Sequence, residues 1–287
     1  MDNPRALAFY LAIGVAASLL MALGLLLMKT RAAELPEARA GALLRALGAW
    51  LRDPVWLGAL AIQAAGYALY IVALADAPVS LVAVMMQGGI ALFVVFAAVF
   101  LHERAAPREW AGIAGIVAAM AMLALSLEGG AAEAAPNLPR LIVIAAVSVL
   151  AATGPFASSK ARRSGAAAAI ASGVAFGLGS LFTKALTDWF LAASSVEVVI
   201  RALSDPWLYC ASAANIAGLV MLQNSFHSAR GIIAMPLSSA CSNLVPIVGG
   251  MAAFGEALPA NPLAATLRIG AFALTVAASA SLATASS

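Results

Sequence analysis

Charged residues are scarce in this sequence. Asp, Glu, Lys and Arg make up only 10% of its 287 residues, whereas a soluble domain carries about 25%. Hydrophobic residues make up 63%, and the mean hydropathy is +0.98. No soluble fold buries that much apolar surface, so we expect lipid to surround the chain and the protein to be integral to a membrane.

Cysteine is scarce too, with two residues, Cys210 and Cys241. Both lie in apolar segments and lack the paired spacing of a disulfide framework or zinc site, so they are interpreted as small core residues. H-E-x-x-H, G-x-S-x-G and Walker-type motifs are absent. We therefore predict no enzyme activity and no cofactor. These patterns do not decide whether the protein binds a metal ion. Basic residues follow the loops rather than clustering with aromatics, so no nucleic-acid partner is expected.

Apolar runs of about 20 residues have the length of a membrane-crossing helix. Nine such runs predict an all-α polytopic membrane protein: Leu7–Met28, Val55–Ala75, Val79–Leu101, Trp110–Leu127, Leu141–Ser158, Ala166–Leu186, Trp207–Phe226, Ile232–Phe254 and Leu263–Leu282. The more polar Leu35–Arg52 and Thr187–Ser204 are interpreted as helices lying at the membrane interface. If Thr187–Ser204 crossed instead, every later segment would change sides.

Basic residues are distributed unevenly between the two sides of this nine-span plan. The loops on one side hold eleven of the sixteen Lys and Arg residues. The positive-inside rule then predicts an external N-terminus and a cytoplasmic C-terminus, in a bacterial inner membrane.

Two stretches resemble each other: "DPVWLGALAIQAAGY" begins at Asp53, and "DPWLYCASAANIAGL" begins at Asp205. Each follows a span that ends in Lys. Asp53 and Glu103 are 50 residues apart, and Asp205 and Glu256 are 51 apart. The landmarks predict a first repeat at 1–134, a linking span at 135–160 and a second repeat at 161–287. Equivalent spans are five crossings apart, so the second copy is inverted, as is common in secondary transporters.

The stretch "ALADAPVSLVAVMMQGGIALFVVFAAVFLHERAAPREWAGIAGIVAAMAMLALS" (73–126) resembles an EamA-like repeat of the drug/metabolite transporter superfamily. The Lys that closes spans 1 and 6, the charged helix before span 2 and the lone linking span are similar to the NIPA-type magnesium transporter branch. The superfamily resemblance implies a membrane carrier. The branch resemblance implies divalent cations such as magnesium.

Polar residues inside a membrane are functional candidates by default. Amide, phenol and hydroxyl groups of spans 2, 3, 7 and 8 are predicted to face one substrate cavity: Gln63, Tyr67, Gln87, Asn215, Asn224, Ser239, Ser242 and Asn243. Pro236 and Pro246 free backbone carbonyls from the helix ladder, as in the broken helices of transporters. Three carboxylates at span ends could line vestibules, and the alternative is that they face water or cap a helix: Asp76, Glu103 and Glu256.

Two substrate classes remain open at this point. Magnesium prefers carboxylate oxygens, yet no Asp or Glu lies in the middle of any span. A cavity of amides instead favours a hydrogen-bonding small molecule. The alternatives to a solute carrier are an exporter or flippase of an amphipathic metabolite or lipid, and a non-transporting membrane scaffold or assembly partner. The possible partners are the solute or ion, the lipid bilayer and a second copy in a homodimer.

Overall fold

The computed structural model describes residues 4–38, 41–76, 79–104, 106–126, 137–154, 165–190, 203–255 and 259–285. Within these ranges the chain is all-helical and contains no strand. The helices are α1 Pro4–Ala32, α2 Leu43–Trp50, α3 Pro54–Asp76, α4 Val79–Phe100, α5 Pro107–Leu125, α6 Leu138–Thr153, α7 Gly165–Phe190, α8 Pro206–Ser228, α9 Gly231–Ala253 and α10 Pro262–Ala285.

Several of these helices suit a membrane. Four contain segments long and apolar enough to cross one: Ala12–Ala32, Gly165–Thr183, Gly231–Ala253 and Pro262–Ser281. Shorter apolar stretches occupy Pro54–Leu69, Gly89–Phe100 and Leu138–Thr153. On α6, Val143 and Leu150 are 60% and 68% exposed, an arrangement suited to lipid rather than water.

Each of the two Asp-Pro pairs begins a helix. Asp53 accepts a hydrogen bond from the backbone N–H of Trp56 at 2.7 Å, and Asp205 accepts one from Trp207 at 2.8 Å. A proline follows each Asp at the first helical position, where its fixed φ suits a helix and its missing N–H costs no ladder bond. The two copies of this sequence signal therefore start α3 and α8.

Contacts at the helix termini fix the helix directions. The C-termini of α1, α4 and α8 meet the N-termini of α3, α5, α7 and α9 at one end of the bundle. We call this the Lys29 end. At the opposite end, Arg268 of α10 contacts Ser126 after α5, and the Asn137 N–H before α6 donates to Ala253 of α9. In the described ranges, α1 and the long helices after α2 thus alternate in direction along the chain.

Glycines set the close packing of two helix pairs, α1 with α3 and α7 with α8. A Cβ on Gly24 would lie 2.6 Å from Cγ of Gln63, and one on Gly179 would lie 2.5 Å from Nδ2 of Asn215. Such separations leave no room for a larger residue, so the helix backbones approach closely at these positions. The same pairing recurs in both halves of the sequence.

The two interfacial helices predicted from the sequence have different outcomes. Helix α2 covers only Leu43–Trp50 of the predicted Leu35–Arg52 helix. Pro36 and Gly41, with a φ of +87°, interrupt the preceding segment, so that boundary was wrong. Of Thr187–Ser204, residues 187–190 belong to α7, and 191–202 lie outside the described residues.

Candidate functional site

A cavity of about 180 Å³ lies where α1 and α4 face α9. Among the described residues, hydroxyls are the only polar side-chain groups in its wall, and the remaining lining is aliphatic, thioether or backbone: Ser18, Met21, Ala22, Leu25, Gly89, Ile90, Met235 and Ser239. The cavity therefore lies between helices from the first part of the sequence, α1 and α4, and a helix from its last part, α9.

Local packing shapes both walls of this cavity. Gly89 lets α4 approach α1, because a Cβ there would lie 3.1 Å from Cβ of Ser18. The Ser18 hydroxyl donates to the Val15 carbonyl at 2.9 Å, which leaves its oxygen lone pairs for a ligand donor. On the other side, Pro236 and Pro246 lie inside α9 and bracket the segment that presents Ser239.

Two other depressions are less suited to a solute. A pocket of about 10 Å³ is lined by Asn243 and Thr275, among others. This volume barely admits one water molecule. A depression of about 280 Å³ between α6 and α9 is lined by Val143, which is 60% exposed, so it opens outward from the bundle.

Gln63 and Asn215 lie at helix crossings, outside the described wall of the 180 Å³ cavity. The Gln63 side chain packs against Gly24 through its Cγ, and its amide donates to Sδ of Met28 at 3.5 Å. The Asn215 amide packs against Gly179 and donates to the Ala211 carbonyl at 2.8 Å. Both side chains thus lie in the close contact between the two helices of their own pair.

The other predicted site residues are dispersed. Ser239 lines the cavity, and its carbonyl accepts hydrogen bonds from Ser242 at 2.9 Å and Asn243 at 2.8 Å. Tyr67 is 55% exposed. The side chain of Gln87 lies outside the described residues.

Asn224 holds the segment that precedes α2. Its Oδ1 accepts from the Ala38 N–H at 2.9 Å, and its Nδ2 donates to the Ala38 carbonyl at 3.0 Å. These two bonds satisfy both backbone groups of one residue, so Asn224 fixes the position of this loop against α8.

Of the three predicted vestibule carboxylates, only Glu103 has a described side chain, whereas those of Asp76 and Glu256 lie outside the described residues. Glu103 accepts from the N–H groups of Gly231 and Ile232 at 2.9 and 3.0 Å. These groups begin α9 and lack partners within the helix, and a carboxylate there also meets the positive end of the helix dipole. Glu103 therefore caps a helix, as one of the alternatives from the sequence predicted. The helix that it caps, α9, lies in the second half of the sequence.

Lys29 completes this contact at the end of α8. Its Nζ donates to the carbonyls of Phe226 and Ala229, each at 2.6 Å, and lies 3.8 Å from Oε1 of Glu103. The Lys29 side chain is 14% exposed. A cation at a helix C-terminus and an anion at a helix N-terminus each interact favourably with the helix dipole. Lys29 and Glu103, which belong to the first half of the sequence, thereby hold the turn between α8 and α9 in place.

Further contacts join the halves at the Lys29 end. Arg230 donates to Glu109 and to the Arg104 carbonyl. Glu109 is 3% exposed whereas the Arg230 side chain is 40% exposed, so it is the carboxylate that loses solvation, which its charge-assisted hydrogen bond with Arg230 replaces. The indole N–H of Trp56 faces Oε1 of Gln223 at 3.5 Å. Polar contacts therefore close this end of the bundle.

Asp53 links the ends of α1 and α3 within the first half. The guanidinium of Arg31 donates to it, with Nε 3.1 Å from Oδ2. This hydrogen bond, followed by the one from the Trp56 backbone N–H, lowers the pKa of the Asp53 carboxyl below its ordinary value. Asp53 therefore gives up its proton more readily than an ordinary aspartate does.

Lys29 enters the sequence-based prediction only as the residue that closes span 1, and Glu109 and Gln223 are not among the predicted site residues. The repeated Lys after spans 1 and 6 was the available signal for Lys29. No comparable signal marks Glu109, because a carboxylate at the first turn of a helix ordinarily faces water.

No group of three or more His, Cys, Asp or Glu side chains that could hold a metal ion occurs among the residues whose positions are described. No protein-family model, curated protein or solved structure matches this chain. The chemistry of the cavity and of the Lys29 end is therefore the basis for assigning a function.

Proposed function

We propose that the protein is a secondary transporter that moves a small solute by alternating access. In this proposal nine helices cross the membrane, α6 links the two halves, and the second half is an inverted copy of the first. The observation that carries the proposal is a cavity between α1 and α4 of one half and α9 of the other, closed at one end by polar contacts between the halves.

Paired contacts support an internal duplication. Gly24 packs against Gln63 as Gly179 packs against Asn215, and a second pair of contacts lies one turn further along each helix. There, a Cβ on Gly66 would lie 2.8 Å from Met21, and one on Gly218 would lie 2.7 Å from Phe176. A similar amino-acid composition alone would not place two glycine contacts at matching positions in both helix pairs.

The turns after α4 and α9 support the same conclusion. His102 has a φ of +54° and directly precedes Glu103, while Gly255 has a φ of +67° and directly precedes Glu256. A left-handed residue at this position closes a helix and redirects the chain. His102 is the less favourable residue for this conformation, yet it adopts the backbone geometry of its glycine counterpart.

The alternating helix directions support inversion of the second copy. Helix α1 ends at the Lys29 end, whereas its equivalent α7 begins there. Likewise, α3 begins at this end and α8 finishes there. Two halves related in this way can exchange conformations, which opens a shared cavity to each side in turn.

The distribution of basic residues orients this arrangement. The Lys29 end carries Arg31, Arg104 and Arg230, which belong to the side with eleven of the sixteen basic residues. The positive-inside rule assigns that side to the cytoplasm, with the N-terminus outside. The closed Lys29 end would then face the cytoplasm, in a bacterial inner membrane.

Thiol labelling tests this function. Ser239→Cys places one thiol in the cavity wall once Cys210 and Cys241 have been replaced by Ser and Ala. A membrane-impermeant maleimide should label it from the external side of right-side-out vesicles and much more slowly from the cytoplasmic side. A thiol on the exposed face of α5, introduced by Ala118→Cys, controls for reagent that enters through lipid. Protection of Ser239→Cys from both sides would instead favour a non-transporting scaffold.

A further inference from the structure

The cavity wall is uncharged over all the residues that line it in the described ranges. Its side chains offer two hydroxyls, two thioethers and aliphatic groups. Lys29 and Glu103, two of the charged residues at the adjoining helix ends, are engaged with backbone carbonyls and N–H groups. An isolated ion in such a wall would lose its hydration without a replacement, at a cost of several kcal/mol.

The size of the cavity matches a small organic molecule. Its volume of about 180 Å³ slightly exceeds that of an engineered apolar cavity of about 150 Å³ that binds benzene. A hydrated divalent cation would instead need oxygen ligands around it, and the described wall contains only two hydroxyl side chains.

Resting on the proposed transport function, we propose that the transported solute is an uncharged, largely apolar molecule of substituted-benzene size with one hydrogen-bonding group. The thioethers of Met21 and Met235 provide polarisable contacts for an aromatic ring. The hydroxyls of Ser18 and Ser239 lie in the same wall, so one polar substituent finds a partner while the ring stays among apolar groups. The site therefore selects against magnesium and organic ions.

Calorimetric titration of the purified full-length protein in nanodiscs tests this class directly. Phenol should bind saturably, and benzoate, benzylammonium and MgCl₂ should bind at least about tenfold more weakly, since each brings an unpaired charge into the cavity. Ala22→Phe should abolish phenol binding because Ala22 is 1% exposed and lines the cavity. Ala118→Phe makes the same change on the exposed surface of α5 and should bind phenol like the unmodified protein.

A second variant keeps the test informative if Ala22→Phe does not fold. Ser239→Ala should weaken phenol binding about three- to tenfold, the effect of one neutral hydrogen bond, while leaving toluene binding unchanged. Tighter binding of MgCl₂ or either organic ion than of phenol would overturn the proposal. So would an absence of phenol binding, or phenol binding that neither variant weakens. The transport function fails on a separate readout, protection of Ser239→Cys from both sides of the membrane.

Discussion

Lys29→Met should open the closed end of the bundle. The substitution keeps an unbranched side chain but removes the ammonium that donates to Phe226 and Ala229 at 2.6 Å each. Hydrogen bonds to charged groups contribute about 1.5–3 kcal/mol each. Because one ammonium group makes both bonds, their contributions do not add in full, and the two together favour closure by about 2–3 kcal/mol. At 1.4 kcal/mol per factor of ten, the population open at the Lys29 end should rise about 30- to 140-fold.

The rate of Ser239→Cys labelling in inside-out vesicles measures this population. While the open state is rare, the labelling rate is proportional to its fraction, so Lys29→Met should accelerate labelling by about the same factor. Arg45→Met is the matched control, since Arg45 lies on the same side in α2 and is exposed. It should leave the rate unchanged.

An unchanged labelling rate in Lys29→Met, in protein that still folds, would refute the gating role of this residue. Equal acceleration in Arg45→Met would also refute it, because the effect would then follow from net charge on that side rather than from the contact with α8.

Three further predictions concern topology and stability. A reporter fused at Ser287 should be cytoplasmic and one at Met1 external; both on one side would contradict nine crossings. His102→Gly should raise the free energy of unfolding in detergent by up to about 1 kcal/mol, because His102 has a Cβ and adopts a left-handed conformation that glycine tolerates better. His102→Val should lower the free energy of unfolding. A lower free energy of unfolding in His102→Gly would contradict this reasoning. The lowered pKa of Asp53 means that its contribution to stability is present above the ordinary carboxyl pKa and lost as pH falls through the lowered value. Asp53→Asn should therefore be less stable than the unmodified protein at pH 7 and lose less stability between pH 7 and pH 3; equal losses would contradict the assignment to Asp53.

Local signals in the sequence predicted helix starts well. The Asp-Pro pairs at Asp53 and Asp205 combine a cap with a residue suited to the first helical position, and both depend only on neighbours in sequence. The interfacial helix predicted at Leu35–Arg52 was too long at its start, because that range includes Pro36 and Gly41. These two residues interrupt a helix whatever pattern surrounds them.

The direction of polar side chains could not be predicted in the same way. A mid-span amide must find a partner, but that partner can be a solute or a neighbouring helix. Gln63 packs against Gly24, and Asn215 packs against Gly179. These glycines are 39 and 36 residues earlier in the sequence. Only helix packing brings these residues together.

The charged span ends required tertiary information as well. A Lys or Glu that ends a span ordinarily meets water or lipid headgroups. Lys29 and Glu103 instead meet the termini of α8 and α9, which lie more than 120 residues away in sequence. The repetition of Lys and Glu in both halves indicated a shared role, but the nature of that role depends on how the halves pack.

This packing changes how mutations must be interpreted. If Glu103 only lined a vestibule, a loss of transport in Glu103→Gln would favour a cation substrate. Glu103 accepts two N–H groups of α9 and lies beside Lys29, so the same substitution weakens the closed end for any substrate. Gln63→Leu is equally ambiguous, because Gln63 packs against Gly24 and its replacement alters the α1–α3 crossing. The charge of the proposed substrate must therefore be determined by ligand binding at the Ser18 and Ser239 wall, where binding of phenol and binding of magnesium would support opposite conclusions.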